Sequence, residues 1–460
     1  LIFQNFRFLR TATTKEDFVL KSLRILGLSL PLFLTHGFTG ENFKLEPLHA
    51  TASWEVGEIE NFDNASNQTL AAIRNKQLIS HSAVWLLQEA RLADNMRAFV
   101  GVGGMYFFIP AAPNNLYSFG QRSAFGLTDA HGEFEFGNRG GGDHNLLLKA
   151  GVFPFKYNED AKNLGEYMFR TYTYPTVIYT GGLVLLNSAG AQLNGLDANT
   201  RMFGVNNDLL LTIKTDQVPS GSLSLTDMAS YSFQNFFTIG AGVMFDNIYD
   251  PTNLARGNYD PKASRYYVLK NGRTVYDSAG MTDSIKSIGH YTFKGEKVMA
   301  RASLDLGNII THFAPNPFLG NGQLRIYSEV IIMGLKNYPG YYDTLKNRTA
   351  YMVGANLPTL GLLDFLSLEM EYCSNPYRDN ANQVVQNLNP IPKADLGGGT
   401  ADDVKWTVYA RKNVYKGFSI TAQAARDHLR LTDFYGHYYD ESVMTHPRNW
   451  YWALQLAYAL

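Results

Sequence analysis

Residues 450–460, WYWALQLAYAL, divide into two faces. Trp450, Trp452, Leu454, Leu456, Tyr458 and Leu460 alternate with Tyr451, Ala453, Gln455, Ala457 and Ala459. A repeat of two is that of a β-strand, whose successive side chains point to opposite sides. Large apolar groups take one face and small or polar groups the other, up to the last residue.

The same alternation recurs upstream. Val404, Trp406, Val408 and Ala410 alternate with Lys405, Thr407, Tyr409 and Arg411. Leu366, Leu368, Met370 and Tyr372 alternate with Ser367, Glu369, Glu371 and Cys373. Segments 237–245, 297–305, 323–332 and 418–425 follow suit. Earlier and less clean candidates are 54–60, 82–92, 96–108, 130–138, 145–155, 173–182, 187–197 and 208–215, with 345–356 later in the chain. This gives about 16 segments near the 9–11 residues that a tilted membrane strand needs.

Composition removes other classes. The 460 residues hold 40 Lys and Arg against 41 Asp and Glu, a net charge of −1. Without a basic excess, nucleic acid is not an expected partner. Charged residues make up 18%, below the roughly 25% of soluble domains. Aromatics reach 13%, too many for a largely disordered chain. A single cysteine, Cys373, allows neither an intrachain disulfide nor a thiolate metal cage. No apolar run approaches the roughly 18 residues of a membrane helix.

The N-terminal region reads as an upstream segment followed by an export signal, over residues 1–40. Lys21 and Arg24 precede an apolar stretch from Ile25 to Leu34, too short to span a bilayer. Small residues follow, with a cut expected after Gly37 or Gly40. Residues 1–40 hold five basic and two acidic groups, so a chain cleaved there carries −4. Residues 41–460 then form one unit.

Connection lengths test that reading. Expected turns at Ala93–Asn95, Arg139–Asn145, Pro358–Gly361 and Asn413–Lys416 are short. Connections 61–81, 109–129, 156–172, 248–289, 374–402 and 429–448 are long. Short turns on one side and long loops on the other mark an outer-membrane barrel. Segments 216–236 and 307–321 break the parity and point to a miscounted strand.

Alternation alone also suits a soluble sandwich, whose apolar faces pack on each other. The export signal, the aromatics Trp450, Trp452 and Tyr458 on the apolar face, and the charges on the other face favour a barrel in lipid. The terminal strand resembles the C-terminal β-signal of bacterial outer-membrane proteins, with Leu460 where Phe or Trp is usual. In length, strand number and loop asymmetry the chain resembles their porin-like class. That resemblance implies an all-β fold, a single antiparallel transmembrane β-barrel of about 16 strands with long external loops. It also implies a bacterial outer-membrane location and lipid as a partner.

In such a barrel Lys297, Arg301, Asp305, Arg325, Glu329, Glu369, Glu371, Lys405 and Arg411 would line the pore. Their mixed signs imply little ion preference. Loop 156–172 carries the one expected helix, with Glu159 and Asp160 favouring its N-terminus and Leu164, Tyr167 and Met168 forming its apolar stripe. By its order this third long loop resembles the inward-folded constriction of general porins. Glu159, Asp160, Lys162, Glu166 and Arg170 would then set a field across the pore. Aromatic clusters at Tyr266 and Tyr267, Tyr341 and Tyr342, and Tyr435, Tyr438 and Tyr439 beside His437 could stack on sugar rings or simply pack their loops. Asn271–Gly272 signals a type I′ hairpin.

No metalloprotease, serine-hydrolase or nucleotide-binding motif occurs, and Asp427-His428 has no identifiable serine partner. The histidines are scattered and no metal or cofactor is implied. The leading expectation is a non-enzymatic porin-like channel for passive diffusion of small hydrophilic solutes. The alternative is a plugged surface barrel that binds polysaccharide or acts in adhesion, with an outer-membrane hydrolase as a third reading.

Overall fold

The computed structural model describes residues 43–60, 78–108, 123–137, 144–171, 173, 178, 191–214, 221–249, 258–259, 266–268, 274–276, 289–290, 294–314, 323–337, 344–374, 404–428 and 448–460. The expected export signal lies outside these residues.

Sixteen strands form one closed wall. They are β1 (His49–Glu60), β2 (Leu78–Ala93), β3 (Met96–Phe108), β4 (Ser123–Phe136), β5 (His144–Phe155), β6 (Ala191–Met202), β7 (Val205–Ile213) and β8 (Leu223–Phe233). The second half comprises β9 (Phe237–Tyr249), β10 (Gly295–Asp305), β11 (Arg325–Met333), β12 (Thr349–Asn356), β13 (Phe365–Cys373), β14 (Val404–Tyr415), β15 (Phe418–Arg426) and β16 (Trp450–Ala459). Each pairs antiparallel with its neighbours in the chain. β16 also pairs with β1, setting Leu456 opposite Trp54, so the sheet has no free edge. A two-residue strand, Lys44–Leu45, adds to β2 outside this ring.

The two faces of β16 separate as the alternation requires. Tyr451, Ala453, Gln455 and Ala457 are buried toward the interior, while Trp450, Trp452, Leu454 and Leu456 are partly exposed outside. Phe125, Leu196, Ile239, Val353 and Met370 also stand exposed on the exterior. A closed sheet with apolar groups outside and polar groups inside suits hydrocarbon as solvent. The strands pair with one another all round the ring, and unpaired backbone groups would cost several kcal/mol each in lipid. The fold is a transmembrane β-barrel.

Connections fall on two sides. Those at 94–95, 203–204, 234–236 and 416–417 are two or three residues long. They share their side with the start of β1 and the end of β16. Left-handed backbone at Phe203 and Gly204 (φ 53° and 78°), and at Gln234 and Asn235 (φ 47° and 57°), lets these turns follow the strand twist. The opposite side carries 61–77, 109–122, 156–190, 250–294, 374–403 and 427–449. On the short side, 306–324 holds the helix α2 (Leu306–Phe313). Asp305 caps it by accepting the Asn308 N–H at 2.8 Å. Ile310 and Phe313 project from α2, the latter 81% exposed, like the apolar face of a helix resting on a bilayer surface.

Three expectations are corrected. Segment 173–182 takes no place in the closed ring, where β5 pairs directly with β6; of its described residues, Ile178 forms an isolated bridge with Thr171. The strand missed instead is β8, whose inward face of Ser224, Thr226 and Met228 is too mixed to stand out. The two errors cancel in the count and explain the broken parity at 216–236, whereas the break at 307–321 is real, a long connection on the short-turn side. The loop helix α1 covers only Tyr167–Arg170, so Glu159 and Asp160 lie well before its N-terminus. In the hairpin, Tyr266–Val268 pairs with Thr274–Tyr276, but Val268 faces Thr274. A two-residue turn at Asn271–Gly272 would set it against Val275.

Candidate functional site: a loop folded against the inner wall

Segment 156–173 leaves the long-loop end of β5 and lies inside the barrel, bonded to β9–β11, β13 and the end of β15 and packed against apolar groups of β5, β6, β8–β10 and β12. Such a segment needs partners for its backbone N–H groups, since few are bonded within it. Two wall carboxylates supply them. Glu369 of β13 accepts the N–H groups of Lys162, Asn163 and Leu164 at 2.5, 2.9 and 2.8 Å. Glu329 of β11 accepts those of Glu166 and Tyr167, both at 3.0 Å. It also receives the Tyr157 hydroxyl and the Asn158 amide.

Local backbone makes that convergence possible. Gly165 and Glu166 are consecutive left-handed residues, with φ 80° and 58°. This turn of the chain aims the N–H groups of Glu166 and Tyr167 at the one Glu329 carboxylate. A Cβ on Gly165 would lie 2.6 Å from the Met352 methyl and 3.0 Å from a Glu329 carboxylate oxygen. A side chain there would displace the Met352 methyl, and the left-handed φ of 80° itself favours glycine.

Further anchors surround the loop. Lys297 of β10 donates to the carbonyls of Met168 and Thr171 at 3.0 and 2.7 Å. Asp246 of β9 accepts from Lys214 and Ser224 at 2.5 and 2.8 Å, and from the Thr173 hydroxyl. Arg325 bridges Asp160 of the loop, at 2.7 Å, to Asp305 at the cap of α2, at 2.5 Å. Tyr167 donates to Glu371 at 2.7 Å, and Glu371 also meets His428. Asn163 and Tyr451 both donate to Asp427, at 2.9 and 2.5 Å. Asp427 and His428, considered from sequence as half of a hydrolase site, thus bind the loop and its neighbours.

The loop's apolar groups fill the remaining space. Leu164, Tyr167 and Met168 are buried against Phe153, Leu193, Met228, Met244, Met299 and Met352 from the inner wall. Unbranched methionines suit an irregular gap between loop and barrel. Burial, and then the neighbouring Glu329 carboxylate, push the Glu166 carboxyl up to about 8. Burial and the nearby Lys156 pull the Lys162 ammonium down to about 8. Lys162 also sits 4.5 Å from the centre of the Phe365 ring.

All nine wall positions singled out by sequence lie on inward faces. Lys297, Asp305, Glu329, Glu369, Glu371 and Lys405 are buried, whereas a bare water-filled lumen would leave them open. Arg301 stands between Gly240 and Glu329 in the wall register. Arg411 is exposed at the short-turn side. Of the loop residues, Asp160 and Glu166 join the network, Lys162 joins through its backbone N–H, and Arg170 ends α1. Glu159 is exposed; its carbonyl accepts from Lys162, and its carboxylate is one of the charges near that ammonium.

Sequence reading missed a second polar wall. Arg97, Glu133, Lys149 and Asp197 face one another in turn across β3, β4, β5 and β6. Arg97 bonds Glu133 at 2.6 Å, and Lys149 lies 4.0 Å from both Glu133 and Asp197. His131 pairs with Asp129 at 2.5 Å beneath the stacked ring of Phe99. The signal was present, since Asp129, His131 and Glu133 alternate with Ala130, Gly132 and Phe134. The aromatic clusters at Tyr341 and Tyr342 and at Tyr435, Tyr438 and Tyr439 with His437 lie outside the described residues.

No family model and no curated protein matches this sequence. Among solved structures, a triple mutant of the Rhodopseudomonas blastica porin aligns at 7% identity, over 91% of this chain and 100% of its own, with a TM-score of 0.43. A double mutant of the same porin gives the same values. A structure described as "Asymmetric conductivity of engineered proteins" aligns at 8% identity and a TM-score of 0.42 over the same shares.

Proposed function

We propose that this chain is a channel of a bacterial outer membrane, passing small hydrophilic solutes by passive diffusion. The observation that carries the reading is segment 156–173 docked against one side of the inner wall of a closed barrel with an apolar exterior. Such a segment narrows a wetted path without closing a covalent route through the protein. The constriction would involve Asp160, Lys162, Glu166 and Arg170, with Glu159 exposed beside them. The opposite wall, with Arg97, Glu133 and Lys149, would face the passing solute. Charges of both signs on each side favour no single ion. No chemistry is assigned to the protein in this reading.

Full burial of Tyr167 and Met168 favours a second reading, a plugged barrel whose outer loops hold polysaccharide. Conductance of the refolded protein in a planar lipid bilayer separates the two. Discrete, stable steps are expected for a channel; insertion with heat-modifiable gel migration and no current would support the plug.

A further inference from the structure

Among the described residues, the exterior of the wall carries one carboxylate at mid-depth. On β8, Thr226 and Met228 are buried inward, and Asp227 between them is exposed outside. Its cross-strand partners, Leu209 and Val243, are the central residues of β7 and β9. The other outward charges of the described wall lie at the rims. Glu58, Glu60 and Glu296 stand at the long-loop side, and Lys412 stands beside Asp364 at the short-turn side. Ionisable groups at mid-depth are costly in lipid, and where they occur they face protein or water and bond to a partner. A carboxylate exposed there calls for one.

Hydrogen bonding at Asp227 is half complete. Its Oδ1 accepts from the Asn207 amide of β7 at 2.8 Å, and its Oδ2 accepts no hydrogen bond among the described residues. The amide nitrogen of Asn207 carries two hydrogens. Its other contact, the Met228 carbonyl at 3.4 Å, is longer than a normal N–H to O bond. One acceptor and one donor are thus left over side by side. Around them the surface is low: Asn207, Ala229, Ala241 and Ala300 stand in one cross-strand row over β7–β10. Small side chains let a second protein surface come close.

Copies inserted in one membrane share their orientation, so a two-fold axis relating two of them runs along the membrane normal. Placed between β7 and β8, that axis sets β7 of each copy against β8 of the other. Asn207 of one copy then donates to Asp227 Oδ2 of its partner, and the reverse, as an isologous contact requires. Each carboxylate receives two N–H groups, and each amide uses both hydrogens. A Lys or Arg of a different protein would answer Asp227 alone and leave the Asn207 N–H as it is. We infer that the exterior of β7–β9 around Asp227 and Asn207 is the contact face of a symmetric pair of copies of this chain.

Pairing through this face leaves both lumens untouched and stands whether or not they conduct. In the test, the full chain carrying Ala229→Cys is refolded in phosphatidylcholine vesicles at a high lipid-to-protein ratio and treated with a short bis-maleimide. Val353→Cys, on the exterior of β12, and the native chain, whose Cys373 is buried, are the controls. A covalent dimer is expected for Ala229→Cys and little for either control. Added to Ala229→Cys, Asn207→Leu and Asp227→Leu should each cut the dimer about fivefold or more, the loss of roughly one hydrogen bond's net contribution. Asp227→Asn still bonds an amide and should keep the dimer. Heat-modifiable migration verifies that each variant is folded. No dimer in Ala229→Cys, an equal dimer in Val353→Cys, or a dimer that survives Asp227→Leu overturns the contact. Loss of the dimer in Asp227→Asn as well would make the charge itself the requirement and overturn the amide exchange.

Discussion

Tyr327 of β11 stands directly across the strand pair from Gly354 of β12, and its ring occupies the space where a side chain on Gly354 would begin. A Cβ there would lie 2.2 Å from the ring. Laid flat over the glycine, Tyr327 reaches Ser367 at 2.6 Å and Glu369 at 2.8 Å, and Glu369 holds three loop N–H groups. The wall glycine therefore acts on the loop through an aromatic ring. Gly354→Ala should push Tyr327 out of place and destabilise the barrel by about 1–3 kcal/mol, the usual cost of overpacking. A lowered urea midpoint at unchanged slope would register it; an unchanged midpoint would show that the ring can move aside freely.

Glu369→Gln keeps the size of the side chain but turns an N–H-bearing group toward three backbone N–H donors. Bonds to a charged acceptor contribute about 1.5–3 kcal/mol each, so the loop should detach in part while the wall stays closed. Faster trypsin cleavage at Lys156 or Lys162, with the barrel core still resistant, is the expected outcome. If the channel reading holds, single-channel current should rise as well. Cleavage at the native rate would mean that Glu329 and Lys297 suffice to hold the loop.

The pH response of the loop has two opposed parts. Glu166 is raised to about 8 in the folded chain by burial and by Glu329. Its stabilising contribution is therefore complete below the ordinary carboxylate value and is lost as pH rises through 8. Lys162 is lowered to about 8 by burial and Lys156. Its contribution is complete above the ordinary ammonium value and is lost as pH falls toward 8. Loop docking should accordingly be weakest near pH 8. The groups that share these surroundings include Tyr157, Glu329 and Arg170 around Glu166, and Glu159, Asp160 and Glu369 around Lys162. Hydrogen exchange of the 156–173 amides between pH 5 and 10, corrected for intrinsic rates, should show a minimum in protection near 8. Glu166→Gln should remove the acid-side decline, because it mimics the protonated carboxyl; a decline that persists would assign the effect elsewhere.

The barrel was legible because its pattern is local. Each strand states its two faces in alternate residues, and Lys405 against Trp406 or Gln455 against Leu456 needs no distant information. The loop's destination was not legible in the same way. Nothing near Lys162 in the chain shows that its N–H will meet Glu369, more than two hundred residues later. Charges such as Glu329 and Glu369 look the same in sequence whether they face water or bind a backbone. The position of α1 failed for a related reason: Gly165 and Glu166 turn the chain to fit a carboxylate, and that carboxylate belongs to another strand. The second wall of Arg97, Glu133, Lys149 and Asp197 was readable strand by strand, but only the register lines it up.

The lipid-facing assignment can be tested at Val353, which is half exposed on the exterior of β12, beside the inward Met352. Its neighbours across the strand pairs are Ser328 and Met370. An arginine on the lipid face near mid-depth costs a transmembrane barrel about 2–4 kcal/mol, with smaller penalties toward the interfaces. Val353→Arg should therefore lower folding stability in phospholipid bilayers by that order. Leu460→Arg, at the short-turn end, should cost far less. The same pair compared in a soluble β-protein would be nearly silent, because both side chains would already meet water. Equal stability of Val353→Arg and the native chain in bilayers would place this face in water and undo the transmembrane assignment of β12.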